Sequence, residues 1–175
     1  MSAGAAYAIS EAVPADAPAL AALGARSFTE TFGHRYASND LQTFLETSHT
    51  PRIYERLIAD QKSSVFKGLT SAGELVGYAS VAPCSLPAPN MPANSGELQR
   101  LYVLADHQGA RLGQRLLETA LDWLDARFQC QYLSVYAENK GAMRLYERFG
   151  FRKVHEYFFM VGDHADPEFI MKRMK

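Results

Sequence analysis

The stretch Gln108-Gly109-Ala110-Arg111-Leu112-Gly113 has the residue types and spacing that point most directly to chemistry. It lies between an extended apolar run, residues 96–104, and a long amphipathic run, residues 109–128. A strand that enters a glycine-bearing turn and then a helix makes an anion site. The first N–H groups of the helix lack internal partners, its dipole adds positive potential, and glycine lets a phosphate come close to the main chain. Helices favour acids at the start and bases at the end. Here Arg111 and Arg115 occupy the first turns and Asp122 and Asp125 the last, with Arg127 breaking the reversal. A bound anion offsets those arginines; the other reading is a solvated helix face. The glycine spacing is not the dinucleotide GxGxxG, and no Lys-Ser/Thr of a P-loop is present.

Other chemistries find less support. The histidines His34, His49, His107, His155 and His164 form no HxxxH or HExxH pair, so no metal site is expected. Cys84 and Cys130 lie far apart and outside any nucleophile motif. Neither a disulfide framework nor a covalent acyl-enzyme is expected, and a reducing, cytoplasmic compartment fits. The formal net charge of −1 gives no support to a nucleic-acid partner. No run of about 18 apolar residues predicts a membrane span, and no signal peptide is read at the start. The length of 175 residues, with 47% hydrophobic and 21% charged residues, suits one soluble domain spanning 1–175.

These groups need elements to position them. Residues 7–13 read as a strand, and Asp16 as the N-cap of a helix through about Thr31 carrying Leu20, Leu23 and Phe28. Ser38 or Asn39 caps a second helix with Leu41, Phe44 and Leu45, and Pro51 opens a third with Ile53, Leu57 and Ile58. Residues 64–70 and 74–82 form a hairpin about Ser71-Ala72-Gly73. Residues 83–95 hold four prolines and are a long loop, either a lid on the substrate side or a plain connection. Then come a strand 96–104, a helix 109–128 with Leu112, Leu116, Leu117, Ala120, Leu121, Leu124 and Phe128 on one face, and a strand 131–138. A helix 141–149 follows, capped by Asn139 and stopped by Gly150, with strands at 151–161 and about 168–174. The order predicts a mixed α/β (α+β) domain.

QGARLG, between ELQRLYVL and a long amphipathic helix, resembles the pyrophosphate signature of the GNAT N-acetyltransferases, Gln/Arg-x-x-Gly-x-Gly/Ala with a further glycine after its first residue. Gln108, Gly109 and Gly113 match; Arg111 stands where the family usually has glycine, so a backbone angle open to other residues is expected there. NKGAMRLYERFGF resembles the family's second motif through Asn139, Ala142, Tyr146, Gly150 and Phe151. The resemblance covers roughly residues 63–162. Phe28-Thr29-Glu30-Thr31-Phe32-Gly33-His34 and the ending FFMVGDHADPEFIMKRM are similar to the spermidine/spermine branch.

The resemblance implies a mostly antiparallel sheet of six to seven strands with flanking helices and a CoA-binding βαβ core at about 96–151. It implies acetyl-CoA as cosubstrate, bound by Leu101, Tyr102, Val103, Gln108, Gly109, Ala110, Arg111, Leu112, Gly113, Gln114, Asn139, Ala142 and Tyr146, and a homodimer. Acetyl transfer to an amine needs a neutral amine, a stabilised oxyanion and a protonated thiolate leaving group. The family's tyrosine maps to Tyr146 as the acid. Glu97, at the start of the 96–104 strand, is the candidate base, or else a solvated strand-end acid. On a regular strand Glu97, Gln99, Leu101 and Val103 share a face, and a β-bulge would break that parity.

Tyr7, Phe28, Phe32 and Tyr36 are expected to wall the acceptor pocket, with Glu30 as an acid for a cationic amine and His34 as a structural or exposed neighbour. The acceptor class is a polyamine or other small amine. The alternatives are protein N-termini or lysines, and a non-catalytic acyl-CoA sensor or assembly module.

Overall fold

The computed structural model describes residues 7–174. Seven strands form one sheet: β1 (Ala8–Glu11), β2 (Ser64–Leu69), β3 (Leu75–Pro83), β4 (Ser95–Val103), β5 (Cys130–Tyr136), β6 (Arg152–Val161) and β7 (His164–Met174). Their order is β1-β2-β3-β4-β5-β7-β6, and every pair is antiparallel except β4–β5. The helices are α1 (Ala17–Phe32), α2 (Ser38–Ser48), α3 (Pro51–Ala59), α4 (Leu112–Asp125) and α5 (Lys140–Arg148).

α4 covers one face. Leu112, Leu116, Leu117, Ala120, Leu121 and Leu124 recur at helical intervals and are all buried. At about 1.5–3 kcal/mol for each buried leucine, this stripe outweighs the ~0.3–1 kcal/mol that each misplaced terminal charge costs the helix. The sheet is shaved to receive it. A Cβ on Gly68 would lie 2.8 Å from Leu112 Cδ1, and one on Gly96 would lie 2.4 Å from Phe128 Cδ2. α5 lies on this side too, its Ala142, Met143, Leu145 and Tyr146 joining the same core.

α1 and α3 pack on the opposite face against Tyr78 and Tyr102. Ala17, Leu20, Ala21, Gly24, Ser27 and Phe28 form the buried stripe of α1, at helical spacing. Gly24 leaves room for three polar tips: His49 Nδ1 is 2.8 Å from Tyr54 Oη, which is 2.5 Å from Tyr78 Oη. Asp166 of β7 ties the α1–α2 connection down through Arg35 Nη2 at 2.8 Å and the Tyr36 hydroxyl.

Most of the order expected from the sequence is present, with shifts at element ends. β1 is four residues rather than seven, because Ala12 onward turns toward the proline-bearing entry to α1. Asp16 precedes α1 but does not cap it; its carboxylate accepts from Val13 N and Lys67 Nζ. α2 includes Ser38 and Asn39, with Ala37 at the cap. β7 begins at His164, four residues before the expected 168, as the partner of β6. Among the described residues no helix is long and apolar enough to cross a membrane.

Candidate active site

β4 and β5 pair only from Ser95–Leu98 to Cys130–Leu133, although β4 continues to Val103 and β5 to Tyr136. The strands part where β4 takes an extra residue. Ser80 pairs with Arg100 and Val81 with Leu98, which leaves Gln99 without a partner on β3. Such a bulge bends and twists its strand. The gap opens into a cleft of about 630 Å³, of a size that holds a small ligand. It joins the two faces of the sheet: Tyr146 reaches it from the α4 side, Glu97 and the aromatic rings from the α1 side.

The bulge also breaks the parity of a regular strand. Leu101 and Val103 pack in the α4 core, whereas Arg100 and Tyr102 face α1 and α3, the side taken by Glu97. Leu104 N donates to Val76 O at 2.9 Å, so the main-chain groups of Tyr102 also face β3 and those of Leu101 and Val103 face the gap. Tyr102 therefore contributes its ring, which lies 5.9 Å from that of His49, and not its main chain. The Val103 carbonyl accepts from Gln108 Nε2 at 3.0 Å, folding Gln108 back along this edge.

The loop after β4 is left-handed at two residues, Gly109 with φ 77° and Arg111 with φ 64°. Two such residues cannot continue a helix, so α4 starts at Leu112 and not at 109. Arg111 thus adopts the glycine-like angle instead of avoiding it, at a cost of roughly 1–2 kcal/mol. Backbone strain of this kind gathers at functional sites. As N-cap, Arg111 gives no side-chain cap, which leaves the first N–H groups of α4 open beside an exposed loop of Gln108, Gly109, Ala110 and Arg111. Gly113 sits in that first turn, 3.6 Å from Val103 by its would-be Cβ.

Two expected ligands, Leu112 and Gln114, have other duties, and so has the neighbouring Arg115. Leu112 is 1% exposed and belongs to the core, so only its main chain faces the loop. Gln114 bonds Glu118 at 2.9 Å. Arg115 donates to Tyr7 O at 3.0 Å.

Asn139 Oδ1 accepts from Ala142 N at 3.1 Å and starts α5. Asn139, Ala142 and Tyr146 all line the cleft. The helix ends at Arg148, Gly150 turns left-handed just beyond it with φ 88°, and buried Phe151 packs edge-on against Tyr146 at 6.1 Å. Burial alone raises the Tyr146 phenol to about 12, so it holds its proton at neutral pH.

On the α1 side Glu97 is 7% exposed, and its Oε2 accepts from Ser85 N at 2.9 Å and Ser85 Oγ at 3.2 Å. Burial raises its pKa against the pull of those bonds. It is thus a buried acid held by the proline-rich loop, not a solvated strand end. Burial likewise pushes the Cys84 thiol up to about 12.

Phe28, Phe32, Phe44 and Phe159 wall the cleft. Tyr36 stacks on Phe28 at 5.8 Å but is bound to Asp166. Tyr7 lies elsewhere, bonded to His107 at 3.1 Å. Glu30 is exposed and paired with Arg26 along α1, and His34 is exposed. The cleft histidine is instead His49, lowered to about 4 by burial and by Arg100. Sequence reading also missed Ser134, Tyr157 and Glu168, which line the cleft from three strands. The alternating runs of those strands hint only that these side chains share a face. Among the described residues no group of three or more His, Cys, Asp or Glu side chains is arranged to hold a metal ion.

Residues 27–151 match the acetyltransferase (GNAT) family. The chain belongs to the GNAT family of acetyltransferases. This GNAT chain is 30% identical over 143 residues to the N-alpha-acetyltransferase RimI of Mycobacterium tuberculosis, covering 79% of this chain and 86% of that one. It is 34% identical over 89 residues to the spermine/spermidine N(1)-acetyltransferase of Bacillus subtilis, covering 49% and 57%. Its fold is shared by the PaiA N-acetyltransferase of Thermoplasma acidophilum, solved in complex with coenzyme A, with a TM-score of 0.76, 18% identity and coverage of 97% and 99%. The mixed sheet with its parallel β4–β5 pair is therefore the GNAT fold, and the protein is an acyltransferase of that kind.

Proposed function

We propose that this chain transfers the acetyl group of acetyl-CoA to a primary amine of a small cationic acceptor, of the polyamine kind, by direct attack in a ternary complex. The parting of β4 from β5 carries this reading, because it brings a protonated phenol from one face and a carboxylate with aromatic walls from the other into one cleft.

The donor fits the α4 side. The uncapped N-terminus of α4 and the left-handed Gly109–Arg111 turn suit a pyrophosphate, and the open edge of Leu101 and Val103 suits the amide-bearing arm. The coenzyme A complex of the Thermoplasma neighbour supports that assignment. An edge N–H of Leu101 or Val103 stabilises the oxyanion, and Tyr146 donates its proton to the departing sulfur. A carboxylate on the acceptor side takes the ammonium proton, Glu97 being the one foreseen from the sequence. Cys84, held as a thiol, is a poor nucleophile, in keeping with direct transfer.

Aromatic faces beside carboxylates attract a cationic amine, and the similarity to the Bacillus spermine/spermidine enzyme favours a polyamine. The longer match to RimI favours a second acceptor, a protein N-terminus. A CoA sensor without turnover has no use for the phenol of Tyr146. Thiol release from acetyl-CoA against spermidine, spermine, lysine peptides and N-terminal peptides, with calorimetric titration of acetyl-CoA, tests the reading. Release that depends on a polyamine is expected. Release with an N-terminal peptide alone replaces the acceptor, and absence of CoA binding refutes the whole reading.

A further inference from the structure

On the acceptor face β5, β7 and β6 lie side by side, and each brings one polar side chain to the same spot. Ser134 Oγ and Tyr157 Oη both donate to Glu168 Oε2, the tyrosine at 3.0 Å, and the two hydroxyls are 2.9 Å apart. All three line the cleft that Tyr146 enters from the other side. Among the described residues nothing bonds Glu168 Oε1.

We propose that Glu168 takes the proton of the acceptor ammonium, with Ser134 and Tyr157 as its positioning residues; this rests on the acetyl-transfer reading above. The ammonium gives one proton to the Glu168 carboxylate. The freed lone pair forms the C–N bond to the thioester carbonyl carbon. The C–S bond then breaks with its electron pair on sulfur, which takes the Tyr146 proton. The second nitrogen proton restores the phenol as the amide forms, and Glu168 returns its proton to solvent.

The partners of the two cleft carboxylates separate their roles. Glu97 Oε2 is held by a main-chain N–H and by Ser85 Oγ, at 7% exposure. An N–H only donates, so Oε2 must stay unprotonated and a proton on Glu97 could sit only on Oε1. The partners of Glu168 are both hydroxyls, which donate to a carboxylate and accept from a carboxylic acid by rotating. Glu168 is also only half-buried. The groups around it are Asp166 on its own strand, Tyr157 on β6, Ser134 and Tyr136 on β5, and Glu97 and Tyr102 on β4. Asp166 is paired with Arg35, whose guanidinium lies over Tyr136. Burial chiefly lifts Glu168 to about 7, with the Tyr157 bond pulling down and Asp166 pushing up. A base poised there is well matched to neutral pH.

The test compares wild type, Glu168→Gln and Glu97→Gln with the best acceptor of the amine panel, from pH 6.5 to 9.5. Gln at 168 keeps an oxygen for Ser134 and Tyr157, and thermal unfolding with acetyl-CoA titration checks that each variant is folded. Glu168→Gln is expected to lower kcat/KM by roughly 10²–10³ at pH 7. Its deficit should shrink towards pH 9.5, as more of an amine with pKa near 10.4 arrives neutral. Glu97→Gln should lose less than about tenfold, with little change across pH, and neither variant should alter acetyl-CoA affinity more than about twofold, since base removal is a transition-state effect. Wild-type turnover with Glu168→Gln within threefold of it, or with the pH-rescued loss found at Glu97 instead, overturns this assignment alone. A wild type that binds acetyl-CoA but acetylates no amine overturns the transferase reading, and this one with it.

Discussion

Gly24→Ala should destabilise the protein by several kcal/mol, against the usual expectation for glycine in a helix. An alanine within a helix is worth up to about 1 kcal/mol over glycine. The new Cβ, however, would lie 2.5 Å from His49 Nδ1 and 2.6 Å from both Tyr54 Oη and Tyr78 Oη. Both tyrosines are 0% exposed, so neither ring has space to retreat. Overpacking of this kind costs about 1–3 kcal/mol. Each buried polar group parted from its partner adds about 1–3 kcal/mol. After the helix gain the net loss is about 2–5 kcal/mol, a large part of a typical ~5–15 kcal/mol stability. For a chain of this length that is a fall in Tm of roughly 5–20 °C.

Urea unfolding with an unchanged m-value measures it. Gly141→Ala is the matched control: its Cβ would meet only Asn139 Oδ1, at 3.9 Å. It should be neutral or stabilise by up to ~1 kcal/mol. Because His49 lines the cleft, Gly24→Ala should also raise KM for the amine more than for acetyl-CoA. A Gly24→Ala protein as stable as the Gly141→Ala one would refute the reasoning that these three polar tips are held at fixed positions.

Other outcomes can be checked alongside. Tyr146→Phe should lower kcat by about 10²–10⁴ with acetyl-CoA affinity nearly unchanged, as loss of a general acid does; full activity removes the phenol from that role. Arg111→Gly should relieve a left-handed strain of ~1–2 kcal/mol, partly offset by ~0.5–1 kcal/mol of unfolded-chain entropy, and so raise the urea midpoint slightly. Weaker acetyl-CoA binding in that variant would show that the guanidinium itself meets the ligand. Glu168, at about 7 when folded, stands above the unfolded value of about 4.3, so the folded state binds more protons between those values and stability falls as pH rises through them. The urea midpoint of Glu168→Gln relative to wild type should therefore climb from pH 5 to pH 8; a constant difference would contradict the raised pKa.

The residues proposed for the donor half stand out in the sequence as motifs because they are close together. Gln108 to Gly113 and Asn139 to Phe151 each form one local motif, and the α4 stripe is a plain 3.6-residue pattern. Arg111 left the loop's backbone angle open, since a non-glycine residue does not name one, and only the folded loop shows φ 64°. The acceptor half was mostly hidden. Ser134, Tyr157 and Glu168 come from strands whose order in the sheet departs from their order in the chain. His49 sits just after α2 with no motif about it. Glu97 was found, but its burial depends on Ser85, twelve residues earlier in a proline-rich loop. The bulge at Gln99 has no compositional signal, so the sequence left open whether the alternation of β4 is regular.

That unpaired residue makes β4 two strands in tandem, half a period out of step. Pairing Gln99 regularly, with no residue lost, would exchange inside and outside beyond Leu98: Leu101 and Val103 would turn into the aromatic layer and Tyr102 into the leucines of α4. Deleting Gln99 would instead leave a regular strand with those side chains on their present faces. The phase slip therefore insulates the halves of the site from each other. Side chains can drift on residues 95–98 without changing which main-chain atoms residues 101–103 turn to the gap between β4 and β5.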